Sequence, residues 1–299
     1  MRYLFLILSI LTPCLFLSSC LGSKIYVVSN YDDIQKTPLH AKGVYGRCLS
    51  DEDILYLGRL KNIEDIDLCL NSHKELNLTD NGWENLTKVA SKLPKLRKIS
   101  LCKSNLITDK SLYWISKIKQ LNYVYISDCP KVTNEGFNYL SNNTHIKGIS
   151  IEFSENVNNT TLRYLRKMPN LNILYLDGSN LDTNSMFSIS DLKLKELIFT
   201  AEKSPNFDDA SLKELSKSKT IEKLDIRING NITSDGIKSL INMERLKKLD
   251  VAGCTPKLID KQLFKEFYTS LPNCETIFRE GESIFYHYEP SGDKVTVYK

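Results

Sequence analysis

One short phrase recurs along this chain at a nearly fixed interval: three apolar residues, with two variable residues between the first pair and one between the second. It reads Leu96-Arg97-Lys98-Ile99-Ser100-Leu101, then Leu121-Asn122-Tyr123-Val124-Tyr125-Ile126, Ile146-Lys147-Gly148-Ile149-Ser150-Ile151 and Leu171-Asn172-Ile173-Leu174-Tyr175-Leu176. Each start lies 25 residues after the last. Further copies begin at Leu194, Ile221 and Leu246, and an earlier one at Ile63. The alternation is that of a strand with one apolar face. A second signature follows. Thr108-Asp109-Lys110-Ser111-Leu112, Thr133-Asn134-Glu135-Gly136-Phe137 and Thr233-Ser234-Asp235-Gly236-Ile237 each set a helix N-cap ahead of an apolar stripe. Neither the strand nor the helix of one unit covers its apolar side alone. Stacked neighbours cover both, so a period in the twenties implies an elongated α/β solenoid with one continuous core.

Leu121-x-x-Val124-x-Ile126-x-x-Cys129, followed by Val132-Thr133-Asn134-Glu135-Gly136-Phe137-x-x-Leu140, resembles the cysteine-containing subfamily of leucine-rich repeats. Leu246 to Cys254 followed by Leu263 matches it too. The resemblance covers residues 63–273, about eight repeats. It implies a right-handed leucine-rich-repeat solenoid, a curved horseshoe arc with parallel strands inside and helices outside. The subfamily is best known from substrate-receptor subunits of ubiquitin ligases. No F-box-like helical module precedes the array and the N-terminus reads as an export signal, so that role is not expected here.

Arg2 precedes an apolar run from Tyr3 to Leu17, which ends in Leu17-Ser18-Ser19-Cys20. The run is too short and too weakly flanked for an ordinary spanning helix and has the form of a secretory signal. Its end resembles a bacterial lipobox, which implies removal of residues 1–19 and a diacylated Cys20. Two or three acyl chains hold a protein on a membrane almost permanently. Leu21, rather than Asp, follows the cysteine. By resemblance to enterobacterial sorting this favours the outer membrane or the cell surface. The alternative is a plain cleaved signal and a secreted protein.

Residues 20–62 read as the anchored cysteine, a linker and an N-terminal cap. Ser50-Asp51-Glu52-Asp53 leads into a helix carrying Ile54, Leu57 and Leu60, and Ile25 to Val28 can add a strand. Residues 274–299 read as a capping hairpin, with alternating runs on either side of Glu289-Pro290-Ser291-Gly292-Asp293. Cys129 and Cys254 hold the same inward place five strands apart, roughly 24 Å at about 4.8 Å per step. That is too far for a bridge, so they are expected to be core thiols. Cys69 and Cys102 share a register on adjacent strands, where a strained bridge is sterically conceivable.

The chain offers little for catalysis. None of its four His residues (His40, His73, His145, His287) stands in metal-ligand spacing, and no Cys-x-x-Cys pair, nucleophile elbow, phosphate loop or dinucleotide fingerprint is present. No enzymatic activity, cofactor, metal or small-molecule substrate is expected. The 40 basic and 36 acidic residues are spread along the chain without a block of one sign, so no nucleic-acid partner is expected either. What remains is the inner wall of the arc. Residues between the apolar positions line it, and its middle is apolar and aromatic: Tyr123, Tyr125, Ile173, Tyr175 and Ile198, with Phe153 nearby. Large rigid rings carrying a hydroxyl suit a protein or peptide interface. Glu152 and Asp177 would select basic groups there. The expected function is therefore an envelope lipoprotein that binds a protein or peptide through its concave face. The alternatives are a secreted effector or adhesin acting on host proteins and a structural envelope protein without a discrete ligand.

Overall fold

The structure is a computed structural model that describes residues 25–68, 78–153, 158–177, 181–255, 257–281, 283–290 and 294–297. Its framework is a single sheet of thirteen strands in chain order. The strands are β1 (Ile25–Val28), β2 (Gly43–Gly46), β3 (Asp65–Asp67), β4 (Lys98–Cys102), β5 (Tyr123–Ser127), β6 (Gly148–Glu152) and β7 (Ile173–Asp177). They continue with β8 (Glu196–Thr200), β9 (Lys223–Arg227), β10 (Lys248–Ala252), β11 (Glu275–Glu280), β12 (Ser283–Glu289) and β13 (Lys294–Val297). Strands β1 to β11 are mutually parallel, while β12 and β13 return antiparallel. The register advances by whole repeats: Ile99, Val124, Ile149, Leu174 and Leu197 stand side by side.

The sheet runs past both ends of the array read from the sequence. β1 and β2 lie within residues 20–62, and Glu275–Glu280 adds a parallel strand within residues 274–299. Neither end matches the full phrase, although β2 and β11 each pair with a strand on both sides.

Helices return the chain from the end of one strand to the start of the next. They are α1 (Tyr31–Lys36), α2 (Asp53–Tyr56), α3 (Asp80–Val89), α4 (Asp109–Ser116), α5 (Asn134–Leu140), α6 (Asn159–Leu165), α7 (Thr183–Ser190), α8 (Asp209–Leu215), α9 (Ser234–Ser239) and α10 (Lys261–Ser270). The threonines read from the sequence are caps. Thr108, Thr133 and Thr233 each accept a hydrogen bond from the backbone N–H two residues on, and so does Thr79, which the sequence reading did not single out. The core lies between the strand and helix layers and runs the length of the molecule, from Val28 through Ile126, Leu174 and Ile226 to Phe278.

Candidate functional site

The register gathers the expected binding residues into three rows on the inner face. Tyr123, Gly148 and Ile173 form the first row, Tyr125, Ser150, Tyr175 and Ile198 the second, and Ser127, Glu152 and Asp177 the third. The middle strand β6 carries the smallest residues, and its neighbours lean over it. A Cβ at Gly148 would sit 2.3 Å from the ring of Tyr123, so that ring occupies the space glycine leaves. Ser150, between Tyr125 and Tyr175, is 1% exposed and its Oγ finds no hydrogen-bond partner.

The patch is therefore more closed than a row of open rings. Tyr175 is buried, and Glu152 is only 2% exposed. Tyr123, Tyr125, Ile173, Ile198 and Asp177 are half-buried. The hydroxyl of Tyr125 donates to Glu152 Oε2 at 2.5 Å. Burial pushes the Glu152 carboxyl up to about 7, against the pull of the Tyr125 hydrogen bond and with a further push from Asp177. Burial, then the charges of Glu152 and Asp177, raises the Tyr175 phenol as well.

Phe153 stands apart, on the rim just past β6. It is well exposed, with φ 48°, and its N–H donates to the Asp177 carbonyl. Cys48, Lys103, Asp128 and Gly253 repeat this left-handed turn at the same step of their own repeats. The conformation is uncommon for a bulky residue.

Toward the C-terminal end the wall is charged. The cations on it from β4 to β11 are all paired: Lys98 with Asp65, Lys223 with Glu196, Arg227 with Glu202, Lys248 with Glu275 and Arg279 with Asp250. Asp225 and Asp250 are register neighbours. Asp250 is 5% exposed and its Oδ1 lacks a hydrogen-bond partner. Desolvation by the surrounding wall, then the charge of Asp250 beside it, pushes the Asp225 carboxyl up. Asp65 also rises to about 6, burial outweighing Lys98. That Arg279 joins this wall is not legible in the repeat pattern, because β11 departs from the repeated phrase.

No family model matches the chain, and no curated protein matches it. Solved structures do. LegL7 from Legionella pneumophila, a leucine-rich repeat-containing protein, superposes with a TM-score of 0.61 at 13% identity, over 90% of this chain and 93% of that one. The present chain has the leucine-rich-repeat fold. Rad7, from the yeast complex of Rad7 and Elc1, gives 0.55 at 15% identity over 84% of this chain and 72% of that chain. TLR13, from a complex with ssRNA13, gives 0.53 at 17% identity over 77% of this chain, which spans only 31% of the TLR13 chain. At such identities the likeness is one of fold.

The array's thiols divide as their places suggest. Cys129 and Cys254 are free and buried, each pushed up to about 12 by burial, and buried Cys274 rises to about 11. They are packed core groups, far from thiolate reactivity. Cys102 is disulfide-bonded, whereas Cys48, Cys129, Cys254 and Cys274 are free. Its partner is therefore Cys14, Cys20 or Cys69, all of which lie outside the described residues. Cys20, the expected lipid site, has no structural description for the same reason.

Among the described residues no group of three or more His, Cys, Asp or Glu could hold a metal ion, and no helix is long and apolar enough to cross a membrane. A groove of about 380 Å³ lies where α4 and α5 turn back toward the strands, lined by Ser116, Lys117, Lys119, Asn142, Asn143, Thr144 and His145. It lies outside the strand rows.

Proposed function

We propose that this leucine-rich-repeat protein is an exported lipoprotein, anchored through Cys20 at the outer membrane or cell surface, that binds a protein or peptide on its concave face. The observation that carries this reading is the central patch. Tyr123, Tyr125, Ile173 and Ile198 are partly open on one continuous surface around the buried Glu152 carboxyl. Partly exposed aromatic and aliphatic groups around a polar centre are the composition of an interface core.

Rad7 in its complex with Elc1 and TLR13 in its complex with ssRNA13 are both partner-bound forms of this fold. For the present chain a protein fits better than a nucleic acid. Its concave cations are already spent on carboxylates, and phosphate contacts need available ones. The proposed role is binding without catalysis.

Two measurements test the proposal. Cross-linking from the native membrane should recover a discrete partner with the natural chain. It should lose that partner when Tyr123, Ile173 and Ile198 are changed together to Ser. Retained capture would end the concave-face reading. The mass of the mature N-terminus should show a diacylglyceryl group on Cys20. An unmodified cysteine would favour the secreted effector or adhesin instead.

A further inference from the structure

The concave wall is electrostatically uneven in a way the whole chain, with its net charge of +4, is not. Each cation on it from β4 to β11 already has a carboxylate partner. Two carboxylates are left over. Among the described residues neither Asp177 on β7 nor Asp225 on β9 makes a side-chain hydrogen bond or a salt bridge. Each points to the inner side of the sheet, Asp177 beside Glu152 and Asp225 beside Asp250. Between them the wall is formed by Tyr175 and Ile198, which share a row with Asp225.

A second observation is independent of this charge count. Asp250 Oδ1 and Ser150 Oγ are polar atoms without partners on side chains 5% and 1% exposed, on the same inner face, Asp250 beside Asp225 and Ser150 beside Tyr175. Buried polar atoms are nearly always satisfied, and one that is not calls for a further group such as a water, an ion or a ligand donor. Both atoms can accept a hydrogen bond.

We infer that the concave face takes a cationic segment of its partner, seating one lysine or arginine against Asp177 and a second against Asp225, with the residues between them crossing Tyr175 and Ile198. This deepens the proposed function and rests on it. The spacing is set by the sheet. Two strand steps of about 4.8 Å and two residues of about 3.3 Å put the carboxylates roughly 12 Å apart. An extended peptide spans that in about four residues, an even number, which returns both basic side chains to the same side of the backbone. A ligand cation adds N–H donors where the wall has acceptors to spare, and a guanidinium offers them in a fork that suits a carboxylate.

The test uses labelled peptides of about ten residues and the full chain, read by fluorescence anisotropy. One set carries two arginines separated by two, four or six positions in a Ser/Leu background. A second set carries glutamates in their place, and a third carries neither. The four-position arginine peptide should bind tightest and weaken as salt rises. Asp177→Asn and Asp225→Asn should each weaken it by about tenfold and erase the preference for spacing. Equal or tighter binding of the glutamate peptide, unchanged binding by the Asn variants, or no binding of any arginine peptide would overturn the inference. If the uncharged peptide binds best and Ile198→Ser releases it, the concave surface stands and only the cationic partner falls.

Discussion

Glu152 is the residue whose surroundings most alter its chemistry. Its folded carboxyl titrates at about 7, against an ordinary value of 4.5. Between those limits the folded chain binds more protons than the unfolded one, so this residue makes stability fall as pH rises through the window. Glu152→Gln keeps the shape and can still accept from Tyr125. Chemical denaturation should therefore show a flatter pH dependence from about 4.5 to 7 for the variant. Above about pH 7.5 the variant should exceed the natural chain by on the order of 2 kcal/mol. Parallel curves would show that burial does not perturb this carboxyl.

Cys102 is disulfide-bonded. Strand register sets Asp67 opposite Ser100, and Cys69 and Cys102 each follow two residues later in the sequence. Non-reducing peptide mapping should recover Cys102 joined to Cys69. A free Cys69 thiol, labelled without reductant, would exclude that pairing.

Among the elements, the helix N-termini are tied together by one repeated device. The first helical residue of a unit accepts hydrogen bonds from the capping threonine of the next. Asp51, which precedes α2, plays the same part for the first link. Asp51 accepts from Thr79 N and Oγ1 at 2.8 and 2.6 Å. Asp80 accepts from Thr108 at 3.0 and 2.8 Å, Asp109 from Thr133 at 2.7 and 2.7 Å, and Asp209 from Thr233 at 2.8 and 2.5 Å. Asn134 and Asn159 hold the same place and accept from Thr161 and Ser185. Each such acid serves its own helix through the dipole and the next through its cap. Gly136 keeps the passage open, since a Cβ there would lie 2.6 Å from Asp109 Oδ1. Asp109→Ala removes two bonds between repeats and should cost about 1–2 kcal/mol in thermal or denaturant unfolding. A loss within experimental error would mean that water replaces the carboxylate at no cost.

At the scale of the whole molecule the open sheet has two ends, and they are finished differently. β12 turns back antiparallel on β11, β13 pairs with β12, and rings of β11 and β12 lie on the last helix. Phe264 on α10 stacks on Tyr286 at 4.6 Å, Phe267 meets Phe278 at 5.2 Å, and Tyr288 donates to the Pro272 carbonyl at 2.8 Å. A solenoid needs such a closure, because every internal repeat leaves an apolar side for its neighbour. Deleting residues 283–299 uncovers both the β11 edge and the face of Phe264. The shortened chain should self-associate, as read by light scattering, and unfold at a lower temperature. A monomer as stable as the full chain would show that the hairpin closes nothing.

The alternation of Leu, Ile and Val at a 25-residue interval was enough to specify strands, helices, their stacking and the inward place of Cys129 and Cys254. Those features depend on periodicity, and periodicity is written in the chain. The Thr caps were legible for the same reason, while their acidic partners one unit back were not, because that pairing exists only once the repeats stack. The candidate site was legible as a set of positions but not as an environment. Tyr175 and Glu152 look solvent-facing in the pattern, yet both are buried beside the small residues Gly148 and Ser150 of β6. Asp177 and Asp225 look like two acids among 36. Only the tertiary structure shows that the cations around them are already engaged, since an ion pair is decided by distances across strands that no linear spacing records.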